Sequence, residues 1–230
     1  MVSRSRAGLI GGFIVVSLVC IALGTWQLHR LGDRRAANAV AQAARSAPAV
    51  VLRGNREDSS LIQRWVRVRG RFDHAHDLVL RARSYGGVPG VELVTPLLTE
   101  GETTAVLVNR GFVPSPDAVT VEPDSFIQPG ITTVEGIALP LDSAGGAPLT
   151  RGRQTTWARL DRTALEERLP YPIRQVYIRQ QPDSGAPAFP RRLPPLELHD
   201  GPHLSYAIQW FAFAVTALVF AGVFLKKSKE

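Results

Sequence analysis

The stretch LSYAIQWFAFAVTALVFAGVFL, residues 204–225, decides the class of this protein because its 22 residues include no charged side chain. A helix rises about 1.5 Å per residue, so this stretch would span about 33 Å, whereas a hydrocarbon core is about 30 Å thick. A second stretch without charge, AGLIGGFIVVSLVCIALGTWQL, occupies residues 7–28. We therefore predict a membrane protein with one transmembrane helix near each end of the 230-residue chain.

The N-terminal stretch has an alternative interpretation as a cleaved signal peptide. Arg4 and Arg6 would form its basic region, and Ala22-Leu23-Gly24 resembles a cleavage site with small residues. However, the apolar stretch is longer than that of a usual signal peptide, and helix-compatible sequence continues to Arg45. These features favour an uncleaved helix.

Charged residues beside the second stretch indicate the orientation. Lys226, Lys227 and Lys229 follow it directly, whereas Glu197 and Asp200 precede it. Because basic residues are enriched in cytoplasmic segments next to membrane helices, the C-terminus is predicted to be cytoplasmic, and two spans place the N-terminus there too. The predicted organisation is a cytoplasmic tail at 1–6, a span at 7–28, an extracytoplasmic domain at 29–203, a span at 204–225 and a cytoplasmic tail at 226–230.

We expect a multi-pass protein of the bacterial plasma membrane. Only six residues precede the first apolar stretch, which leaves no room for an organelle-targeting peptide. Membrane lipid is the expected partner of both spans. The single cysteine, Cys20, lies within the first span and has no partner for a disulfide.

The composition of residues 29–203 excludes several functions. All three lysines of the protein lie in the C-terminal tail, so a catalytic lysine in the external domain is excluded. The domain has 22 Arg against 19 Asp and Glu and no basic stripe with interleaved aromatic residues, which argues against a nucleic-acid partner. No hydrolase, Walker or dinucleotide-binding motif occurs.

The external domain is predicted to be β-rich, which makes the whole chain an α+β membrane protein. Val66 and Val68 alternate with arginines, as in a half-buried strand, whereas residues 105–108 are apolar on both faces and predict a central strand. Pro96 predicts an edge strand or a bend. We predict a sheet or partly closed barrel of six or seven strands, with strands at 65–72, 78–83, 91–98, 105–108, 131–139 and 175–179.

One or two short helices and two long loops complete the predicted domain. Thr163-x-x-Glu166 is typical of a capping box at a helix start, and Pro170 would end that helix after Leu169. Two proline-rich segments, 112–130 and 181–195, are predicted loops that cover sheet edges or meet a partner.

The segment Asp73-His74-Ala75-His76-Asp77 has two interpretations. On a strand, His74 and His76 would share a face and could ligate a metal, which would suit a membrane-tethered, metal-dependent enzyme. The alternative is a polar turn that leads into the strand at Leu78. We favour the turn, because no third ligand is evident nearby.

A second polar cluster lies at the predicted outer ends of the two spans. Trp26 and Arg30 share a face of the first helix. On the second helix, four side chains form a stripe in which they lie within about 120° of one another around the helix axis. From the residues alone we favour interfacial anchors. The alternative is a site for an amphiphilic haem, in which imidazole binds iron and arginine pairs with a propionate. The stripe on the second helix consists of His203, Tyr206, Gln209 and Trp210.

Four strings of residues occur in order along the chain and resemble the Surfeit locus protein 1 family, whose members are assembly factors of haem–copper cytochrome c oxidase. The resemblance runs nearly end to end and includes both terminal spans and the large external domain. The strings are Gly24-Thr-Trp26-Gln27 with Arg30; Gly87-Val-Pro89-Gly90 leading to Thr95-Pro96-Leu97; Val106-Leu-Val-Asn109-Arg110-Gly111-Phe-Val-Pro114; and His203-Leu-Ser-Tyr206-Ala207 through Gln209-Trp210-Phe211.

The resemblance implies a non-enzymatic role in the maturation of oxidase subunit I, with transient binding or delivery of haem A. Subunit I is then the expected partner, and haem A synthase a further one. The resemblance makes His203 the expected axial ligand of the haem iron and Trp26 and Tyr206 the walls of its pocket. Charge and depth add Arg30 as the partner of a propionate. The expected cofactor-binding residues are His203, Trp26, Tyr206, Arg30, Gln209 and Trp210.

The chain departs from the family pattern at three positions. Val91 stands where an aromatic residue is common, Phe112 where tryptophan is common, and Asp33 where tryptophan often follows the first span. The string Asn109-Arg110-Gly111 also has a structural interpretation, in which Gly111 ends a strand with positive φ and its two neighbours hold the following loop. We favour that interpretation over a catalytic one.

Overall fold

The computed structural model describes residues 4–54, 57–145, 147–152 and 154–226. The chain divides into two compact units, one within residues 1–41 and 197–230 and the other within residues 42–196. Of the predicted tails, residues 1–3 and 227–230, with Lys227 and Lys229, lie outside the described residues. In chain order the helices and strands are α1 (Arg4–Ser46), β1 (Val50–Val51), β2 (Trp65–Phe72), β3 (Leu78–Tyr85), β4 (Val88–Thr99), β5 (Ala105–Pro114), β6 (Ile131–Pro140), β7 (Leu149–Arg151), β8 (Gln154–Trp157), α2 (Arg162–Arg168), β9 (Ile173–Gln180) and α3 (His203–Lys226).

Two long apolar helices, α1 and α3, lie at the two ends of the chain and flank the β-rich region, as predicted. α1 is continuous over 43 residues, so the first apolar stretch and the polar, alanine-rich stretch after it form one helix, also as predicted. α3 has 24 residues. Both helices are long and apolar enough to cross a membrane, judged by length and composition.

The two helices of the first unit pack along a regular seam. Buried and half-buried positions recur every three or four residues on each helix, the spacing of a coiled coil. Small side chains dominate on α3, which lets the two backbones approach closely. The seam positions are Ile10, Phe13, Ser17, Cys20, Gly24, Gln27 and Leu31 on α1, and His203, Ala207, Trp210, Ala214, Ala217, Ala221 and Phe224 on α3.

Contacts along the seam show that the helices are antiparallel. Near the start of α1, the ring of Phe13 stacks on Phe220 and Phe224, with centroids 5.7 and 5.9 Å apart. One turn further along α1, the hydroxyl of Ser17 donates to the carbonyl oxygen of Ala214 at 3.1 Å. Residue numbers therefore rise on α1 as they fall on α3.

The second unit is a sheet of nine strands within the described residues, in the order β1-β2-β6-β9-β5-β4-β3-β8-β7. A further pairing of β2 with β4 closes five strands into a barrel, β2-β6-β9-β5-β4. The closing pairs are short and join residues 70–72 to residues 97–99. The predicted β-rich region is confirmed, and β3, β8 and β7 extend the sheet beyond the barrel.

The strands at the centre of the sheet have the burial that their sequences predict. On β2, Val66 and Val68 are buried while the arginines that alternate with them are exposed. On β5, Val106 and Val108 belong to the barrel core, and Leu107 packs on the other face in a second cluster with Trp157. β5 lies between β9 and β4, so the prediction of a central strand is confirmed.

Two local predictions about the strands need correction, namely the edge-strand alternative for Pro96 and the number of strands. Pro96 does not lie on an edge strand, because β4 has neighbours on both sides. On one side, β4 pairs with β3 up to Val94 and with β2 from Leu97. Pro96 lies between these two ladders, so its missing N–H removes no hydrogen bond on that side of β4. The strand count also exceeds the prediction, since β1, β7 and β8 are only two to four residues long.

The predicted capping box at Thr163 and Glu166 is also wrong. α2 begins at Arg162, and its N-cap is Asp161, whose Oδ1 accepts a hydrogen bond from the N–H of Ala164 at 3.0 Å. Aspartate is as good an N-cap as serine or threonine, so the helix starts two residues earlier than the box implied.

Candidate functional site

An imidazole and an amide meet in the seam between the two helices. Nδ1 of His203, the first residue of α3, lies 2.9 Å from Oε1 of Gln27 on α1. Both side chains are half-buried. The other ring nitrogen, Nε2, has no hydrogen-bond partner in the part of the chain that the structure describes. When the proton is on Nδ1, Nε2 presents its lone pair.

The other residues of the predicted haem site are mostly exposed. Trp26 and Tyr206 are 54% and 46% exposed. Arg30 and Gln209 are also exposed, whereas Trp210 is half-buried in the seam.

The two predicted residues of α1 lie to one side of the seam. Each residue turns an α-helix by about 100°. Relative to Gln27, Trp26 is therefore rotated by about 100° and Arg30 by about 60°, both in the same sense. Neither side chain points directly at α3.

Two predicted residues of α3 lie to the same side. Relative to His203, Tyr206 is rotated by about 60° and Gln209 by about 120°. Because the helices are right-handed and antiparallel, these rotations and those on α1 fall on one side of the pair. An exposed surface with two aromatic rings, a guanidinium and an amide therefore lies beside the imidazole–amide contact.

The segment that enters α3 is held by α1. Asp200 accepts hydrogen bonds from Nε of Arg35 at 2.8 Å and from Nδ2 of Asn38 at 3.2 Å. Arg34 donates through Nε to the carbonyl oxygen of His199 at 3.1 Å. The hydrogen bond from Arg35 contributes most to lowering the pKa of Asp200 below its ordinary value. These contacts determine the level along α1 at which α3 begins.

In the second unit, the two central strings lie on the adjacent strands β4 and β5 and contact each other. Nδ2 of Asn109 donates to Oε2 of Glu92 at 2.6 Å, and both side chains are buried. Oδ1 of Asn109 accepts from the N–H of Gly111 at 3.1 Å. A Cβ on Gly90 would lie 2.3 Å from the carbonyl oxygen of Val113, so the strings require this glycine for close strand contact. This role is structural.

Gly111 has the predicted positive φ, 129°, but it does not end a strand, because β5 continues to Pro114. A Cβ at this position would lie 2.2 Å from the carbonyl oxygen of Arg191. The neighbouring Phe112 exchanges two backbone hydrogen bonds with Arg191, of 2.8 and 2.7 Å. The glycine therefore lets the proline-rich segment 181–195 pack against β5.

Arg110 is buried and holds a loop, as the structural interpretation predicted. Nη2 donates to the carbonyl oxygen of Phe126 at 2.5 Å, and the guanidinium lies 5.1 Å from the ring centroid of Phe72. Burial lowers its pKa, and the nearby carboxylate of Asp77 opposes that shift. Burial raises the pKa of Asp77, and hydrogen bonds from Thr95 and from a neighbouring histidine offset part of the rise.

The two histidines of the metal-like segment do not lie on a strand. They form a 3₁₀ turn, His74–His76, in which each imidazole bonds to a carboxylate of its own segment. Nδ1 of His74 lies 3.3 Å from Asp77, and its Nε2 accepts from the N–H of Gln128 at 3.0 Å. Nδ1 of His76 lies 2.7 Å from Asp73. Among the described residues, no group of three or more His, Cys, Asp or Glu is arranged to hold a metal ion.

The fold places this chain in a class of proteins in which two apolar helices flank a β-barrel. A model of the SURF1 family matches residues 14–215, and the chain belongs to the SURF1 family. The resemblance predicted from the four strings is thus confirmed.

Curated relatives match along most of the chain. A SURF1-like protein of Monosiga brevicollis is 26% identical over 239 residues, which cover 98% of this chain and 90% of the relative. A SURF1-like protein of Rickettsia felis is 25% identical over 212 residues, which cover 90% of this chain and 92% of the relative. Surfeit locus protein 1 of Gallus gallus is 32% identical over 126 residues, 47% of this chain and 40% of the relative.

Gln27 is a site residue to which the sequence patterns assigned no role. Trp26 and Arg30 were grouped together because they share a face at a spacing of four residues. The seam of α1 instead follows Ser17, Gly24 and Leu31 at a spacing of seven, with Gln27 between the last two. This heptad pattern was the signal that could have found it.

Proposed function

We propose that this protein is a membrane-anchored assembly factor for haem–copper cytochrome c oxidase, which assists the insertion of haem A during the maturation of subunit I. Membership of the SURF1 family supports this role. The observation that carries the haem part is the His203–Gln27 contact, which leaves Nε2 of the imidazole without a hydrogen-bond partner among the described residues.

The residues around this contact fit a haem as cargo. One ring nitrogen of His203 is free, and an axial ligand requires one such nitrogen. Trp26 and Tyr206 expose aromatic surface beside it. Arg30 and Gln209 offer polar groups on the same side of the helix pair, and a guanidinium suits a propionate. Haem A would supply the iron and the porphyrin, while these side chains would bind and orient it.

The membrane part of the proposal rests on α1 and α3. Their outward faces expose large apolar side chains such as Leu18, Phe213 and Val219, which suits contact with lipid acyl chains. We place both termini in the cytoplasm and the β-barrel unit outside a bacterial plasma membrane, by the lysines after α3. Subunit I and haem A synthase would then meet the protein at the outer rim of the bilayer.

Purification from cells that make haem A tests the cargo. The wild-type protein, extracted in detergent, is expected to carry a haem A spectrum, and His203→Ala to lose it. His29→Ala is a matched control, because His29 is an exposed histidine on α1, two residues beyond Gln27. A colourless wild-type protein, or a His203→Ala protein with full haem content, would contradict haem binding.

Deletion of the gene tests the assembly role separately. Membranes of the deletion strain are expected to contain oxidase with less haem A, restored by the wild-type gene and by His29→Ala but not by His203→Ala. Unchanged haem A content in the oxidase would refute the assembly role. A colourless protein that the oxidase still needs would leave a scaffolding role without haem transfer.

A further inference from the structure

We infer that Gln27 is a positioning residue that holds His203 in the tautomer whose Nε2 is free to ligate haem iron. The inference rests on the proposed function, because it concerns the same imidazole. Its basis is the distance of 2.9 Å between Nδ1 of His203 and Oε1 of Gln27, in the seam of the helix pair.

Contacts on both sides keep the amide of Gln27 opposite the imidazole. One turn before Gln27, Gly24 lies against the ring of Phe211 so closely that a Cβ would come within 2.7 Å of it. About two turns after Gln27, Nε of Arg35 is paired with Asp200 at 2.8 Å. Sliding of α1 past α3 would break both contacts, so both favour the register that places the amide within hydrogen-bond distance of the ring.

A carbonyl acceptor at Nδ1 selects one form of the imidazole. Neutral histidine carries one N–H and one lone pair, and the amide oxygen of Gln27 can only accept. The proton is therefore held on Nδ1, and the lone pair is left on Nε2. Gly201 borders that side of the ring, where a Cβ would lie 3.6 Å from Nε2, so glycine keeps this approach open.

The same hydrogen bond affects the strength of the ligand. An acceptor on the second nitrogen fixes the orientation of a ligating histidine and raises its basicity. A stronger donor to iron stabilises the ferric state and lowers the reduction potential of a haem. A carboxylate in place of the amide would strengthen this effect, and an apolar side chain would remove it.

The tautomer can be measured in the haem-free protein. In detergent-solubilised protein labelled with ¹⁵N-histidine, His203→Ala identifies the signals of this ring among the five histidines. The wild-type protein is expected to show a protonated Nδ1 and an unprotonated Nε2 near neutral pH, and Gln27→Leu a mixture of tautomers. A wild-type ring with its proton on Nε2 would overturn the inference, because the amide of Gln27 would then be the donor.

The second measurement uses the haem-loaded protein. Gln27→Leu is expected to bind haem about 10–100-fold more weakly, the usual cost of losing such an outer partner. Its remaining haem should have a higher reduction potential than wild type, and Gln27→Glu a lower one. Gln42→Leu is the control, since Gln42 is an exposed glutamine further along α1 and should change neither quantity.

The two measurements separate this inference from the proposed function. If wild type binds haem while both Gln27 variants keep its affinity and potential, the positioning role is wrong and haem binding stands. If wild type binds no haem, haem binding is refuted, and the tautomer of the free ring alone decides whether Gln27 positions His203.

Discussion

The ring of Phe211 on α3 packs against the backbone of α1 at Gly24, where a Cβ would lie 2.7 Å from Cε1 of the ring. Only a residue without a side chain leaves room for the ring here, and this contact lies one turn of α1 from Gln27, the partner of His203. The glycine and the aromatic ring therefore set the separation of the two helices at the candidate site.

A larger side chain at Gly24 should separate the helices. We expect Gly24→Leu to lower the thermal stability of the detergent-solubilised protein, by about 1–3 kcal/mol in free energy, because overpacking displaces the ring of Phe211. Adding Phe211→Ala to Gly24→Leu should recover most of the loss, since the ring no longer occupies the space. An equal loss with and without the ring would show that the contact does not limit the helix separation.

Two glycines with positive φ should respond differently to alanine. At Gly111 a Cβ would meet the backbone of Arg191, whereas at Gly130, with φ of 84°, nothing lies within 4 Å. We expect Gly111→Ala to lower the free energy of unfolding by about 2–4 kcal/mol and Gly130→Ala by about 1 kcal/mol. Denaturant unfolding would measure both. Equal costs would mean that only the backbone conformation matters, and not the packed segment 181–195.

The N-cap of α2 can be tested with a matched pair of variants. Oδ1 of Asp161 accepts from Ala164, and its Oδ2 accepts from the N–H of Gly145 at 2.6 Å. Asp161→Ala should therefore lower the free energy of unfolding by about 1–2 kcal/mol. Thr163→Ala, on the exposed surface of α2, should change it by less than about 0.5 kcal/mol. A larger loss of unfolding free energy in Thr163→Ala than in Asp161→Ala would instead support the capping box that the sequence predicted.

The carboxyl of Asp77 should make stability depend on pH. Burial raises its pKa, with opposing contributions from Thr95, His74 and Arg110. Between the ordinary and the raised pKa the folded state holds a proton that the unfolded state has released, so the wild type loses stability as pH rises through this window. Asp77→Asn cannot lose that proton, so its stability relative to the wild type should rise with pH and level off above the window.

Denaturant unfolding of both proteins from about pH 4 to about pH 8 checks this prediction. Asp124→Asn, which changes an exposed carboxyl, serves as the control for the loss of one charge. If the free energy of unfolding of Asp77→Asn minus that of the wild type stays constant or falls as pH rises, a raised pKa of Asp77 is contradicted.

The long strands were predictable because their patterns are local. β2 alternates apolar and charged residues, and residues 105–108 at the start of β5 are apolar on both faces, so each indicated its own exposure. β1, β7 and β8 have two to four residues, too few for a period to be visible. The closure of the barrel, between residues 70–72 and 97–99, depends on how far the sheet coils and has no local signal.

The polar site was predictable only in part. The order of residues on one helix determines their directions, so the stripe that begins at His203 could be read from α3 alone. Its contact with Gln27 depends on the register of α1 against α3, which side chains 176 positions apart establish together. At His74 and His76 the favoured interpretation, a polar turn before Leu78, is confirmed, because the chain makes a 3₁₀ turn there.

The amino-acid sequence was enough to predict that two uncharged stretches of 22 residues enclose a β-rich region, because hydrophobicity and its period act within a segment. It also carried the four strings by which the family was recognised. Only the folded chain shows which of those strings touch: Gly24 with Phe211, Gln27 with His203, and Gly90 with Val113. Such pairs form only when distant segments pack, because a hydrogen bond or ring contact requires a separation of a few ångströms that no local pattern encodes.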